Sequence, residues 1–353
     1  MPDRFRYRPE WWEAYRRVNW RFADAVLAAA TGDEIVWVHD YQLMLLPAML
    51  REGNPRLRVG FFLHTPFPSY EVFRCHPNRE ALVEGLLGAD LVGFHTFNYL
   101  RHFRSCVLRL LGRETEITNV RHGGRTTALG VYPIGINAPK FEAEMNSPGF
   151  AKEYAKLAET HAGMRVVLSV ERLDYTKGIL HRLDAIEVFL EECDCVDRMK
   201  FVFIAVPSRE DVEEYRALRE EIEFRVGRLN GQYATLHSSP IRFIYGSVNF
   251  GELCALYAQA DACMVTPLMD GMNLVAKEYV ACQRDNGEDR APGVLILSEF
   301  AGAAEELLGA IIVNPYDAAA NARAIVDALE MAADERRRRM RPMRERVMSF
   351  DAR

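Results

Sequence analysis

The sequence lacks the features that mark several classes of protein. No apolar run among its 353 residues approaches the length of a membrane-spanning helix, so we expect no membrane segment. Neither sign of charge dominates, because the net charge is −6 and the isoelectric point is near 5.9. This balance favours neither nucleic acid nor a membrane as a partner. Recognition of phosphate must therefore depend on a few well-placed Arg and Lys residues. We interpret the run Arg336 to Arg339 as a solvated helix face.

Several catalytic and metal-binding signatures are also absent. The chain contains neither a Walker loop nor a G-x-S-x-G elbow. Its seven cysteines are scattered, and the closest pair, Cys193 and Cys195, has no second pair at the spacing of a metal site. No cluster of His, Cys and carboxylate residues has metal-ligand spacing, so the sequence predicts no metal. The scattered cysteines indicate reduced, structural thiols in a cytoplasmic protein.

What the sequence does contain is an alternation of strand and helix patterns along nearly its whole length. Apolar runs separated by helix-competent segments indicate parallel sheets that are covered by helices on both faces. The length suggests two domains, which we place at residues 1–140 and 141–353. The second has six predicted strands, at 165–170, 200–205, 241–245, 262–265, 293–297 and 310–313. The first has only four, at 35–39, 58–63, 91–94 and 127–136, so we expect it to be incomplete at its N-terminus.

The stretch at 265–283 carries the strongest functional pattern. A strand runs into a loop with Asp270 and Gly271, and this loop opens directly into a helix that contains Glu278. A helix N-terminus suits an anionic ligand, and glycine lets the backbone approach that ligand closely. Asp270 can accept hydrogen bonds from sugar hydroxyls, and Glu278 from the two hydroxyls of a ribose. The pattern is typical of a nucleotide-sugar site. The alternative, in which Asp270 only caps the helix, stays open.

Two cations follow another predicted strand. Arg172 and Lys177 lie five residues apart in the segment E-R-L-D-Y-T-K-G at 171–178. A guanidinium and an ammonium beside a diphosphate would neutralise the charge that develops on a leaving nucleoside diphosphate. The competing interpretation is a salt-bridged turn, in which Arg172 pairs with Asp174.

A further arginine, Arg209, follows a third strand at the predicted start of a helix. A cation at this position opposes the helix dipole, so its presence suggests an anionic partner such as a phosphate. An exposed pair with Glu210 or Asp211 is an equally simple explanation.

Polar residues also end the strands of the first half. Asp40 and Tyr41 follow one strand, and His64 follows the next, before a Pro-Phe-Pro exit turn. We expect Asp40 and His64 to lie at adjacent strand ends, where Asp40 could orient an acceptor and His64 could bind a sugar hydroxyl. His95 ends a third strand and is a weaker candidate. A satisfied structural histidine is the alternative for both histidines.

With these segments in place, the chain resembles the trehalose-6-phosphate synthase family, which are retaining glucosyltransferases of the two-domain GT-B fold. The resemblance covers nearly the whole chain. It is carried by V-H-D-Y-Q-L-M at 38–44, F-F-L-H-T-P-F-P-S at 61–69, Y-P-I-G-I at 132–136, E-R-L-D-Y-T-K-G at 171–178, D-G-M-N-L-V-A-K-E-Y-V-A at 270–281, L-S-E-F-A-G-A-A-E-E-L at 297–307 and V-N-P-Y-D at 313–317.

The resemblance implies an α/β architecture of the GT-B type, with two Rossmann-like domains built on parallel sheets. It also implies roles for individual residues. Arg172 and Lys177 match the pair that holds the donor diphosphate, and Glu278 matches the ribose ligand. The donor-binding residues that it implies are Arg172, Lys177, Asp270, Gly271, Met272, Asn273, Leu274, Val275 and Glu278. The acceptor contacts are Asp40 and Tyr41, with Arg209 at the acceptor phosphate. The residues expected to act in catalysis are His64, Asp40, Asp270, Arg172 and Lys177.

The resemblance implies a reaction as well. The family transfers glucose with retention from a nucleoside-diphosphate-glucose to glucose 6-phosphate, giving α,α-trehalose 6-phosphate, with no metal, no cofactor and no established protein nucleophile. The expected partners are therefore small-molecule substrates, UDP-glucose or ADP-glucose and glucose 6-phosphate, and not nucleic acid or membrane. The sequence leaves the nucleotide base and the formation of a homo-oligomer open.

The chain departs from the family pattern at its start. Family members begin with a strand that ends in a Ser-Asn-Arg type motif, followed by a Gly-Gly loop, and we expect this chain to lack that segment. Position 42 is Gln where many relatives have His. Because the missing segment reads much of the acceptor, two alternatives stay open. One is a glucosylglycerol-phosphate synthase that uses glycerol 3-phosphate, and the other is a catalytically inactive nucleotide-sugar-binding fragment.

Overall fold

The computed structural model describes residues 5–193, 195–285, 287 and 290–350. The chain forms two compact units, Met1–Pro133 and Ile134–Arg353, and each is built on a sheet of its own. The two units are therefore described one after the other.

The first unit contains a five-stranded sheet. Its strands are β1 (Ile35–His39), β2 (Arg58–Phe62), β3 (Leu91–Phe94), β4 (Asn119–His122) and β5 (Arg125–Val131). The order is β1-β2-β3-β5-β4, in which all neighbours are parallel except β4, which is antiparallel to β5. The helices are α1 (Pro9–Ala29), α2 (Leu46–Gly53), α3 (Tyr70–Phe73), α4 (Arg79–Leu87) and α5 (Phe97–Leu111).

Helix α5 shows how the sequence specifies an element of this unit. The side chain of Thr96 accepts a hydrogen bond from the backbone N–H of Tyr99 and caps the helix, as N-cap threonines do. Gly112 ends the helix at φ 60°, in the left-handed region that glycine adopts without strain. The buried residues recur at helical spacing and face the sheet, and they are Leu100, Phe103, Cys106 and Val107.

The second unit contains a six-stranded, wholly parallel sheet. Its strands are β6 (Arg165–Arg172), β7 (Met199–Val206), β8 (Ile241–Tyr245), β9 (Ala262–Val265), β10 (Val294–Ser298) and β11 (Ile311–Val313). The order is β8-β7-β6-β9-β10-β11, so its direction of growth reverses between β6 and β9. The helices are α6 (Ala138–Met145), α7 (Pro148–Thr160), α8 (Ile179–Glu192), α9 (Glu213–Tyr233), α10 (Phe250–Gln259), α11 (Leu274–Cys282), α12 (Ala318–Glu330) and α13 (Ala333–Ser349).

The strands of this sheet are buried on both faces. Along β6, Val166 and Leu168 belong to one hydrophobic core, and Val167 belongs to the core on the opposite face. Along β7, Val202 and Phe203 divide between the same two cores. Because side chains alternate across a strand, a continuous apolar run fills both cores. Each large apolar side chain that is fully buried contributes about 1.5–3 kcal/mol. The structure thus confirms the predicted α/β class with parallel Rossmann-like sheets.

Some expectations were wrong. Strand β4 and helix α6 were not predicted, and the sequence interpretation treated Arg336 as part of a solvated face. Arg336 is instead buried, and its guanidinium donates to the carbonyl oxygens of Ala328, Leu329 and Met331 at the end of α12. A cation at this position offsets the negative end of the helix dipole. The structure also joins Cys193 and Cys195 in a disulfide, where reduced thiols were expected.

Candidate active site

The strand order of the second unit defines where a ligand can bind. In open parallel sheets, ligands bind outside the carboxyl ends of the strands, at the point where the order reverses. Here that point lies between β6 and β9. Arg172 is the last residue of β6, and Lys177 lies in the turn that follows it. Asp270 lies in the loop after β9. The fold therefore brings the two strongest sequence patterns to one crevice.

Lys177 and Asp270 form an ion pair in this crevice. The Lys177 Nζ lies 2.5 Å from the Asp270 Oδ2, and the two side chains are only 16% and 15% exposed. The two loops also meet through their backbones, since the N–H of Leu268 donates to the Thr176 carbonyl at 2.7 Å. Gly178, at φ 69°, makes this approach possible, because a Cβ there would lie 2.5 Å from the Thr266 carbonyl oxygen.

The alternative of a salt-bridged turn is not what the described residues show. No ion pair joins Arg172 to Asp174 within that part of the chain, and the Arg172 side chain is exposed. Asp174 instead accepts hydrogen bonds from the N–H and hydroxyl of Thr176, at 2.9 and 2.7 Å, and from the Tyr215 hydroxyl at 3.0 Å. Burial raises the pKa of Asp174, but these hydrogen bonds outweigh it, so the pKa is lowered and the carboxylate stays ionised.

The loop after β9 does not use Asp270 as a helix cap. Asn273 caps α11, since its side-chain oxygen accepts from the N–H of Ala276 at 3.4 Å. The Asn273 amide donates to the Asp270 Oδ2 at 3.0 Å and so helps to orient the carboxylate. Asn273 has φ 73°, a conformation that an asparagine side chain tolerates better than most.

Backbone contacts hold the Asp270 loop against the segment after β10. The N–H groups of Gly302 and Ala303 donate to the carbonyls of Asp270 and Met272, at 3.2 and 2.8 Å. A Cβ at Gly302 would lie 3.0 Å from the Gly271 carbonyl carbon, so only glycine fits there. Gly302 was not predicted from the sequence as a site residue. Gly302 lies in the A-G-A-A segment of the sequence, but the loop against which it packs, at Gly271, is distant along the chain.

The residues of helix α11 differ in their burial and in their partners. Glu278 is half-buried and accepts a hydrogen bond from the Tyr257 hydroxyl at 3.0 Å. Burial raises the pKa of Glu278, and the Tyr257 hydrogen bond opposes that shift. Leu274 and Val275, on the first turn, are also half-buried. Lys277 is buried, and its Nζ bonds to the Glu306 carboxylate at 2.5 Å and to the backbone at 2.7 Å. Lys277 therefore stabilises the fold.

Arg209 lies in the loop after β7, before α9 begins at Glu213. The expectation that Arg209 stands at a helix start, against the dipole, is therefore wrong, because Val212 is the N-cap. Arg209 instead has φ 50° and is exposed. Its Nη1 donates to the Tyr215 hydroxyl at 3.0 Å.

In the first unit, Asp40 and His64 lie at adjacent strand ends, as expected. The Asp40 Oδ1 accepts a hydrogen bond from the backbone N–H of His64 at 3.2 Å. The His64 Nε2 lies 3.0 Å from the Nδ1 of His39, so one of these nitrogens carries the proton that the other accepts. Burial lowers the pKa of His64, an effect that Asp40 opposes and His39 reinforces. His95 is buried, with its ring 5.5 Å from that of His64.

Tyr41 lies directly after Asp40 in a short 3₁₀ turn, Tyr41–Leu43. Its side chain is 43% exposed, and its carbonyl accepts a hydrogen bond from the Tyr15 hydroxyl at 2.7 Å. The ring is thus available to a ligand, while the backbone is tied to α1.

A buried arginine beneath the donor loops was not predicted from the sequence. Arg182, in the first turn of α8, is fully buried and donates to the Thr266 hydroxyl at 2.9 Å, to the Glu171 carboxylate at 2.6 Å and to the Lys177 carbonyl at 3.2 Å. These partners belong to the segments that carry Arg172, Lys177 and Asp270. Nothing in the apolar helix pattern around Arg182 indicated these contacts, and one partner, Thr266, is distant in sequence.

Three of the residues that are expected to bind ligands have a strained backbone. Among the described non-glycine residues, those with positive φ are Asp40, Arg209 and Asn273. Such a conformation costs about 1–3 kcal/mol and persists where function or the surrounding structure requires it. All three were selected from the sequence as ligand contacts.

The described residues contain neither a candidate metal site nor a candidate membrane span. They include no group of three or more His, Cys, Asp or Glu side chains that could hold a metal ion. No helix in this part of the chain is long and apolar enough to cross a membrane.

The second unit has a parallel sheet with a cation and a carboxylate paired at its reversal point, and the first unit has a mostly parallel sheet of its own. Two such Rossmann-like units fit the glycosyltransferases of the GT-B class. Comparison with known proteins specifies which one. The chain belongs to glycosyltransferase family 20, whose family model matches residues 1–353.

Its relatives share one type of name. The α,α-trehalose-phosphate synthase (UDP-forming) 2 of Aspergillus niger is 46% identical over 345 residues, which cover 96% of this chain and 71% of that protein. The corresponding synthase 1 of the same fungus is 46% identical over 330 residues, and there the match spans 63% of the relative's length.

Solved structures agree with these relatives. A UDP-forming α,α-trehalose-phosphate synthase from Burkholderia xenovorans, in complex with glucose-6-phosphate, superimposes with a TM-score of 0.93 at 37% identity. A structure from E. coli, bound with UDP-2-fluoro glucose, gives a TM-score of 0.94 at 38% identity. Each match covers 99% of this chain and 77% of the other chain.

Proposed function

We propose that this chain transfers glucose from UDP-glucose to glucose 6-phosphate with retention, forming α,α-trehalose 6-phosphate. The observation that carries the proposal is the Lys177–Asp270 pair at the reversal point of the second sheet. The names of the relatives and the ligands of the two solved structures support the choice of substrates. They do not favour the alternative acceptor, glycerol 3-phosphate.

In the donor half of the proposal, charged side chains bind the diphosphate and the sugar. Arg172 and Lys177 would bind the diphosphate and neutralise the charge that develops as the bond to glucose breaks. Asp270 and the backbone of the next three residues would bind the glucose hydroxyls. Glu278 would bind the ribose, with Leu274 and Val275 beside the phosphates.

The acceptor half assigns Arg209 to the phosphate of glucose 6-phosphate, and Asp40 and Tyr41 to its sugar. Arg209 carries a guanidinium whose fork geometry suits phosphate oxygens. Because burial lowers the pKa of His64, its imidazole is neutral at neutral pH. In the tautomer whose Nε2 accepts a hydrogen bond from the His39 Nδ1, the Nδ1–H of His64 would donate to a hydroxyl of the transferred glucose.

The proposed step forms the bond between the acceptor oxygen and the anomeric carbon as the bond from that carbon to the diphosphate breaks. The proton of the acceptor hydroxyl passes to the leaving diphosphate oxygen, on the same face of the sugar. This account requires cations at the leaving group and no protein nucleophile. It suits Asp270, whose carboxylate is already bonded to Lys177 and Asn273. We also propose that the reaction is cytoplasmic and needs neither a metal nor a cofactor.

The proposal is tested by measuring UDP release from UDP-glucose with three acceptors, which are glucose 6-phosphate, glycerol 3-phosphate and glucose. We expect release with glucose 6-phosphate alone, and a non-reducing disaccharide phosphate as the product. Asp270→Asn serves as the control for background hydrolysis. Equal or faster release with glycerol 3-phosphate would replace the proposed acceptor. No acceptor-dependent release would contradict the proposed transfer.

A further inference from the structure

The Tyr215 hydroxyl connects two loops to which the proposed function gives different substrates. Tyr215 lies in the first turn of α9 and is only 5% exposed. Its hydroxyl lies 3.0 Å from the Arg209 Nη1 and 3.0 Å from the Asp174 Oδ2. Arg209 belongs to the loop after β7, and Asp174 belongs to the loop after β6.

The direction of this chain of hydrogen bonds is fixed by chemistry. A guanidinium can only donate, and an ionised carboxylate can only accept. The Tyr215 oxygen therefore accepts a hydrogen bond from Arg209, and the Tyr215 O–H donates a hydrogen bond to Asp174. Both bonds involve a charged partner, and hydrogen bonds of this kind are stronger than neutral ones. A hydroxyl that links them in series is polarised at both ends.

Asp174 also forms hydrogen bonds with the turn that carries Lys177. Its other oxygen, Oδ1, accepts from the N–H and hydroxyl of Thr176, and its carbonyl accepts from the N–H of Lys177 at 3.0 Å. The Lys177 side chain then reaches Asp270. The carboxylate that Tyr215 holds is thus the one that shapes the Lys177 turn.

Arg209 depends on Tyr215 at the other end. Its φ of 50° lies in a region that costs a non-glycine residue energy, so neighbouring contacts must hold it there. The guanidinium carbon of Arg209 lies 5.6 Å from the centre of the Tyr215 ring, within the range of a cation–π contact. The ring and the hydroxyl of one tyrosine therefore both contact Arg209.

We propose that Tyr215 is a positioning residue, whose hydroxyl orients Arg209 for the acceptor phosphate and couples it to the turn that binds the donor diphosphate. This inference rests on the proposed function, because it takes Arg209 as the phosphate ligand. It adds that the two substrates bind interdependently: an ordered donor turn fixes Asp174, which fixes Tyr215 and then Arg209.

Tyr215→Phe tests the inference, because it removes the hydroxyl and keeps the ring. Affinity for glucose 6-phosphate is measured by calorimetry with saturating UDP, so the test does not need turnover. We expect the affinity to fall about tenfold, as loss of a hydrogen bond to a charged group implies. We expect affinity for UDP alone to change less than about threefold, since the Lys177 contacts remain. The gain in glucose 6-phosphate affinity that UDP produces should disappear.

Tyr245→Phe is the matched control. Tyr245 ends β8, and its hydroxyl donates to the carboxylate of Glu210, next to Arg209, at 2.9 Å. The control removes a tyrosine–carboxylate hydrogen bond from the same loop but leaves the chain from Arg209 to Asp174 intact. It should leave glucose 6-phosphate affinity unchanged. An equal loss in both variants would mean that general stability of the loop, and not the Tyr215 hydroxyl, sets the affinity.

Arg209→Ala, alone and combined with Tyr215→Phe, separates this inference from the proposed function. If Tyr215 acts through Arg209, the double variant binds glucose 6-phosphate no more weakly than Arg209→Ala does. Additive losses would overturn the inference, as would a normal affinity in Tyr215→Phe beside a weakened Arg209→Ala. If Arg209→Ala has no effect, the proposed acceptor role of Arg209 fails, and the inference fails with it.

Discussion

The ion pair between Lys177 and Asp270 gives two substitutions with opposite expected effects. Lys177→Ala removes the ammonium that we assign to the diphosphate, and Asp270→Asn removes the carboxylate that we assign to the glucose. Each variant breaks the same 2.5 Å pair. Both should therefore lose a similar amount of stability, below the about 3–5 kcal/mol of a fully buried pair, since the side chains keep some exposure.

The effects on UDP binding should differ. A charge-assisted hydrogen bond to the diphosphate contributes about 1.5–3 kcal/mol, so Lys177→Ala should weaken UDP binding about 10-fold to 150-fold. Asp270→Asn removes a negative charge from beside the diphosphate and frees Lys177 from its partner. UDP should bind Asp270→Asn at least as tightly as it binds the wild-type chain, while glucose transfer is lost.

Calorimetric titration with UDP and the rate of UDP release measure these two effects. Thermal unfolding without ligand shows whether the two variants share the same stability loss. If both variants bind UDP equally weakly, the pair is structural and its assignment to donor binding is refuted. If Asp270→Asn retains the full rate of glucose transfer, the assignment of the Asp270 carboxylate to the glucose is wrong.

Three further predictions concern residues around the site. Lys277→Met removes one partner of the buried Glu306 carboxylate, while Arg346 remains paired with it. We therefore expect a loss in the free energy of unfolding by urea that is below the about 3–5 kcal/mol of a charge left without a partner, with unchanged UDP affinity in the folded protein. Glu278→Gln keeps a partner for Tyr257 but loses the carboxylate. The variant should bind UDP more weakly than the wild-type chain does. Because the pKa of Glu278 is raised, the UDP affinity of the wild-type chain should begin to fall above pH 4.5 on acidification, and the variant should not show this fall. A variant that binds UDP as tightly as the wild-type chain would contradict the ribose assignment. His64 has a lowered pKa, so the unfolded chain takes up its proton first as pH falls through 6.5, and folding stability decreases from there down to the lower folded pKa. His64→Gln should flatten that part of the stability–pH curve, and an unchanged curve would show that His64 is not responsible.

Much of the fold could be predicted because its strands are continuous apolar runs. The observed bounds of β1, β3, β8 and β9 match the sequence prediction. The residues that follow parallel strands could then be assigned to one edge of a sheet, and this assignment selected Arg172, Lys177 and Asp270. Strand β4 was missed because N-V-R-H is short and mostly polar, and it forms an antiparallel hairpin with β5.

The contacts that organise the site were not predictable in the same way. The strand order, which places β6 beside β9, results from packing across the whole unit. Arg182 and Tyr215 contact residues that are distant in sequence, and their own segments show no motif. His39 lies in a segment that carries the family resemblance, but its contact with His64, at the end of the next strand, was not predicted. The positive φ of Arg209 could not be predicted either, because arginine has no local preference for that conformation.

The central claim is that the carboxyl ends of β6 and β9 bind a nucleotide sugar. Calorimetric titration of UDP-glucose into the wild-type chain and into Arg172→Ala tests it most directly, because Arg172 is exposed and its loss leaves the ion pairs of the fold in place. The account predicts saturable binding of one UDP-glucose per chain, weakened at least about tenfold in the variant. Equal affinities, or no saturable binding to the wild-type chain, would contradict it.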